Sequence, residues 1–210
     1  MLEQTSADGR TARGQRARAA AIDAYLDLLT AGIAQPTAAA VAARAGCSVR
    51  LVFHHFADLD RLFAEAADRQ MERVAPLIRR VSAELPCAAK IGEFVKTRAQ
   101  VFDTISPVRR AAIRHEPFSK EIQQRLRAAH ALARDGARRV FAPQLAAFRP
   151  AERREVLAAL IAATSWESWE CLRHRQGLSQ SAACRALERT IRALLATPHR
   201  VGRETAKETS

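Results

Sequence analysis

Residues 36–62, PTAAAVAARAGCSVRLVFHHFADLDRL, leave little freedom of local structure. Thr37 is a hydroxyl N-cap, able to accept from the amides one turn on. Ala40, Val41 and Ala45 then recur on one helical face. Gly46 supplies the left-handed residue that ends a helix. Ser48 caps a second helix, in which Val52, Phe53 and Phe56 are the apolar positions. Two short helices joined through a turn of three or four residues form a helix-turn-helix. The second helix of that motif is the one that enters the major groove of DNA.

The rest of the chain reads as helix as well. Hydrophobic residues make up 48% of the 210 residues and aromatics only 5%, so strand-forming runs are scarce and helix formers prevail. Cys47, Cys87, Cys171 and Cys184 lie far apart with no C-x-x-C pair, which suits reduced thiols in a cytoplasm. No apolar run reaches membrane-spanning length and the N-terminus is charged, so neither an anchor nor a signal peptide is expected. The expectation is a soluble, cytoplasmic, all-α protein.

A formal net charge of +12 invites a nucleic-acid reading, but its distribution matters more. Residues 1–65 balance Glu3, Asp8, Asp23, Asp27, Asp58, Asp60 and Glu65 against Arg10, Arg13, Arg16, Arg18, Arg44, Arg50 and Arg61. The positive excess therefore lies downstream of the motif. What the N-terminus offers is clustering: Arg10, Arg13, Arg16 and Arg18 lead into the first helix. Such an arm suits phosphate or minor-groove contact, and a solvated basic tail is the competing reading.

Punctuation divides the chain further. A first helix is expected from about Arg16 to Ala31, after a disordered segment over 1–12. Asp58 caps a fourth helix, with Leu62, Phe63, Ala66, Met71 and Val74 as its stripe, interrupted by Pro76. A helix over Lys90–Thr104, a short one after Pro107 and a long one over Ser119–Phe141 follow, the last ended by Pro143. Pro150 then opens a helix reaching about Arg175, where Gly177 stops it. Ser179 caps the last helix, which Pro198 closes, and the polar tail 199–210 is expected to be disordered.

The motif is similar to that of the tetracycline-repressor (TetR) family of bacterial transcription regulators. Its signature of Thr, Ile/Val-Ala, Ala-Gly-Val-Ser, Leu-Tyr-x-His-Phe and Lys-x-x-Leu stands here as Thr37, Val41-Ala42, Ala45-Gly46-Cys47-Ser48, Val52-Phe53-His54-His55-Phe56 and Leu59-Asp60-Arg61-Leu62. Ala21–Ile33 resembles the amphipathic helix that precedes the motif there. The resemblance is sharp over the first third of the chain and architectural beyond it. It implies a three-helix DNA-binding domain over 13–57 and a helical effector-binding and dimerisation domain over 58–198, with 58–75 as the connecting helix.

The resemblance further implies that the start of the recognition helix faces base edges. Those positions are Val49, Arg50 and Leu51, with His54 one turn on. Of these, Arg50 has the fork that spans O6 and N7 of guanine. Arg16, Thr37, Ser48, Phe53 and His55 complete the candidate DNA-binding set. Two positions depart from the family. Phe53 replaces a tyrosine and Leu59 a lysine, which removes two phosphate partners; Arg44, Arg61 and the N-terminal arginines are the candidates to compensate.

Downstream, the family forms an effector cavity, for which Phe94, Phe102, His115, Phe118, Trp166 and Trp169 are the candidate walls here, with Ile113, Leu132 and Phe141 beside them. Ordinary core is the competing reading of each. The last two helices form an antiparallel hairpin whose apolar positions are Val156, Leu160, Ala163, Ala183, Leu187, Ile191 and Leu194. In the family such a pair meets its twofold mate in a four-helix bundle; intramolecular core is again the alternative.

No metal or cofactor is expected. His54 and His55 are adjacent and do not face each other on a helix, and Cys171 with His174 lacks further donors. No phosphate loop, nucleophile elbow or paired carboxylate points to an enzyme. The reading is a dimeric repressor released from a palindromic double-stranded DNA operator by a small-molecule effector. A helical adaptor that binds protein through a degenerate helix-turn-helix is the alternative.

Overall fold

Ten α-helices and no strand occupy the described residues, which is the all-α class expected. The computed structural model describes residues 3–82 and 84–196, the side chains of 3–11, 115 and 121 excepted. The helices are α1 (Glu3–Thr30), α2 (Ala38–Ala45), α3 (Val49–His55), α4 (Leu59–Val74), α5 (Cys87–His115), α6 (Lys120–Val140), α7 (Ala142–Ala146), α8 (Pro150–Ala163), α9 (Trp166–Glu170) and α10 (Gln180–Leu195). Among the described residues, no helix is long and apolar enough to cross a membrane.

Contacts divide the chain into two compact units. The first joins Met1–Arg80 to Lys96–Leu132; the second joins Val81–Val95 to Ala133–Ser210. This partition differs from the boundary at 57/58 read from the sequence. The physical reason is one shared core: Tyr25, Leu26 and Leu29 of α1, Val41 of α2, Val52 and Phe56 around α3, and Leu62 and Phe63 of α4 pack in a cluster that also contains Val108, Ala111, Ala112 and Ile122. The helix-turn-helix thus rests on α4, on the second half of α5 and on the start of α6. In the second unit α8 packs on α7 and α10.

Capping residues behave as their chemistry dictates. Thr37, Ser48, Asp58, Ser165 and Ser179 each accept an amide hydrogen bond three residues on. Gly46 ends α2 at φ 66°, where a side chain would be strained.

Five expectations are corrected. Residues 3–12 are not a disordered arm but continue α1. Extending an established helix needs no new nucleus, and Arg10, Ala12 and Arg13 between Gly9 and Gly14 favour it. Pro107 does not divide α5, which runs unbroken past it. One backbone hydrogen bond is lost there, while Phe102, Val108, Ala111 and Ala112 on either side stay buried. Pro143 opens α7 rather than ending α6, in a first-turn position where its missing N–H is no loss.

The helix from Pro150 stops at Ala163, not near Arg175. There Thr164 Oγ1 donates to Leu160 O at 2.7 Å, Ser165 Oγ caps α9, and Ser168 Oγ donates to Ala162 O at 2.8 Å. These hydroxyls give the backbone partners outside the helical ladder. A wide turn over Cys171–Arg175 follows, with Gln176 N bonded to Cys171 O at 2.9 Å. Within α4, Met71 is 44% exposed and lies off the buried stripe. The tail 199–210 lies outside the described residues.

Candidate nucleic-acid interface

Helix α3 has only seven residues and cannot persist alone in water. It is held by burial of Val52 and of Phe56, both at 1% exposure. Burying side chains of this size contributes about 1.5–3 kcal/mol each. Ser48 Oγ accepts from Leu51 N at 3.2 Å and sets the helix start. With Val52 and Phe56 committed inward, Val49 and Phe53 stay 40% and 49% exposed, and Arg50 and His54 are exposed as well. Leu51 and His55 are half-buried.

Arg50 pairs with no carboxylate among the described residues. Its neighbours are engaged. Arg44 pairs with Asp27 at 3.0 Å, Arg73 with Asp23 at 2.7 Å, and both Arg18 and Arg61 reach Glu65. Arg44 and Arg61, named as compensating cations, therefore already hold partners within the chain. The pairs exposed on both sides, Arg44–Asp27 and Arg73–Asp23, are worth at most about 1 kcal/mol each, so a phosphate competes readily for those guanidiniums.

Thr37 Oγ1 accepts from Ala40 N at 3.2 Å, which uses a lone pair and leaves the O–H to donate. Thr37 is exposed, as is Arg16, whose Nε bonds Ala12 O at 3.3 Å. The structure thus gathers Thr37, Ser48, Val49, Arg50, Phe53 and His54 around one motif with exposed side chains.

His55 differs. Its Nε2 is buried without a hydrogen-bond partner among the described residues, and its ring lies beside Gly14 of α1. Burial first, then the charges of His54 and Arg18, push its pKa below the usual value. It therefore favours the neutral form, which suits a packing position between α1 and α3 more than a phosphate cation. The His54 and His55 rings lie 5.4 Å apart, and no group of three potential metal-binding side chains occurs among the described residues.

The chain shares its fold with a transcriptional regulator from Rhodococcus sp. Rha1. The two match at a TM-score of 0.64 and 20% identity, over 87% of this chain and 95% of that one. This is a likeness of fold. No family model and no curated protein matches the chain.

The downstream candidates scatter. Phe94, Phe102, Trp166 and Trp169 are buried, and the Phe94 ring meets Phe141 edge-on at 5.2 Å. Phe118 is 90% exposed and does not wall a cavity; it sits in the turn between α5 and α6, where neither helix covers it. The side chain of His115 lies outside the described residues. An open groove of about 440 Å³ in the first unit is lined instead by Glu116, Pro117, Gln123, Leu126, Arg127 and His130. Apart from Arg127, one of many arginines in this stretch, none of these stands out in the sequence, because side chains on a helix carry no pocket signal until a neighbouring turn encloses them.

The hairpin residues need a correction too. Leu160, Ala183, Leu187 and Ile191 are at most 3% exposed within a single chain. They are intramolecular core, already covered, and do not form a face for a second copy. Val156, Ala163 and Leu194 are half-buried and keep some surface.

Proposed function

We propose that this protein is a sequence-specific DNA-binding transcriptional regulator of the TetR kind. It acts as a dimer on a palindromic operator, and a small-molecule effector releases it. The observation that carries the reading is the outward face of α3. A capped, seven-residue helix inside a helix-turn-helix presents unpaired Arg50 between exposed Val49 and His54, on a side the core does not use. Arg50 reads guanine through its fork, and Val49 offers apolar contact to a thymine methyl. The fold shared with a protein described as a transcriptional regulator supports the same role.

Repression follows from occupancy: a dimer on promoter DNA excludes other proteins from it. Enzymatic turnover is not part of this reading. The protein-binding adaptor draws on the same exposed Val49 and Phe53, since apolar exposure also suits a protein partner.

Selection of bound duplexes from a randomised DNA pool separates the two. Recovery of a palindrome is expected, and Arg50→Ala should erase the preference while helix content stays unchanged. A pool without enrichment would reject operator recognition and favour the adaptor.

A further inference from the structure

Two arginines converge on one carboxylate beside the recognition helix. Arg18 Nη2 of α1 lies 2.6 Å from Glu65 of α4, and Arg61 Nε lies 3.2 Å from the same carboxylate. The Glu65 side chain is only 13% exposed, while those of Arg18 and Arg61 are 44% and 56% exposed. Burying a carboxylate is unfavourable unless it is paired, so Glu65 strongly prefers the arrangement that keeps both guanidiniums on it. Arg18 is fixed a second time: its guanidinium carbon sits 5.4 Å from the centre of the Phe56 ring, at the residue that ends α3. The exposed pairs Arg44–Asp27 and Arg73–Asp23 lack this asymmetry, because their carboxylates are 50% and 43% exposed.

A guanidinium carries five N–H donors. The contacts to Glu65 engage Nη2 of Arg18 and Nε of Arg61, and about half of each side chain remains at the surface. Among these three side chains, two positive charges stand against one negative. Arg61 follows two residues after Leu59, where the resembled family has its lysine, and Arg18 lies against the end of the helix in which Phe53 lacks a hydroxyl. Long side chains lose rotamer freedom when they bind. Here that ordering is completed by folding, before any ligand arrives.

We propose that Glu65 is a positioning residue for DNA-backbone contact: it holds Arg18 and Arg61 as a fixed pair of phosphate-binding forks, in place of the partners that Phe53 and Leu59 do not supply. The inference rests on the DNA-binding reading above. Glu65 itself touches no phosphate; it acts through the two arginines.

The test titrates the full chain with mixed-sequence duplex DNA over a range of salt concentrations, because phosphate contacts are read there without base specificity. Arg18→Gln and Arg61→Gln should each reduce the slope of log K against log salt by about 0.9. Glu65→Gln should weaken binding about tenfold even though it adds net positive charge, since both forks become mobile. In the background of Arg18→Gln with Arg61→Gln it should change nothing further, an outcome that a merely structural role does not produce. Thermal melting by circular dichroism checks the fold of each variant. If Glu65→Gln does not fold, Glu65→Asp, which keeps the charge but shortens its reach, should weaken binding in its place. Tighter binding by Glu65→Gln would overturn the inference and make Glu65 a screen over the arginines. Unchanged slopes for both arginine variants would overturn it as well, with the DNA reading intact. A wild-type chain with no salt-sensitive DNA binding would remove both.

Discussion

Helices α3 and α10 start alike and end differently. Each follows a serine whose hydroxyl accepts from the amide three residues on, at 3.2 Å in both cases. Each carries apolar side chains at helical spacing. In α10, Ala183, Leu187, Ile191 and Leu195 are all buried. In α3, Val52 alone is buried, while Val49 and Phe53 face outward. Hydrophobic pattern therefore does not say what a helix face is for. Where the chain covers the apolar face itself, stability accounts for the pattern. Where it leaves the face open, burial does not, and a partner becomes the better explanation.

The contrast is sharpest under charge insertion. Ile191→Glu places a carboxylate at a position with 0% exposure and should destabilise the second unit by about 3 kcal/mol or more. Loss of a cooperative melt is the expected readout, rather than a well-folded chain of altered oligomeric state. Phe53→Glu is the counterpart. It should shift stability by no more than about 0.5 kcal/mol while weakening DNA binding by like-charge repulsion from phosphate. If Phe53→Glu unfolded the chain instead, the claim that α3 presents an unused face would fail.

A smaller effect tests what the two helices share. Ser48→Ala and Ser179→Ala each remove one capping acceptor and should each lower stability by about 1 kcal/mol in denaturant titration. Clearly unequal losses would mean that the caps, and not only the faces, distinguish the two helices.

Titration separates positions within the first unit. Tyr25 is the chain's one tyrosine, and burial, with Asp60 nearby, pushes its pKa up to about 12. The unfolded chain loses that proton near pH 10, so stability is full below that pH and falls as pH rises through 10 toward 12. Phenolate absorbance should accordingly lag the ordinary tyrosine curve until the unit unfolds. His55 has the opposite sense. Its folded pKa lies below the usual 6.5, so the unfolded state binds a proton first and stability falls as pH drops below 6.5 toward the folded value. His55→Asn should flatten that acid limb of the melting curve, and this is the smallest of the expected effects.

The residues closest to the motif were the most legible. Thr37, Gly46, Ser48 and Asp58 act through partners within four residues, so their caps and turns follow from local chemistry. Prolines were less so. Pro107 and Pro143 carry the same ring, yet one sits inside a 29-residue helix and the other opens a five-residue one. Their roles depend on how much burial the flanking turns secure. The Glu65 site was legible by half: Arg61 and Glu65 stand at i, i+4, a spacing that invites an ion pair. Arg18 lies 47 residues earlier, and no local pattern links it to them.

From the sequence alone came the all-α class, the position of the helix-turn-helix and the caps that start its helices, because each depends on interactions within about one helical turn. Tertiary structure decided which apolar faces remain open, which arginines are already paired, and that the motif shares its core with α5 and α6. Those outcomes depend on contacts between residues distant in the chain, where burial and charge pairing are set by neighbours that no local spacing reveals.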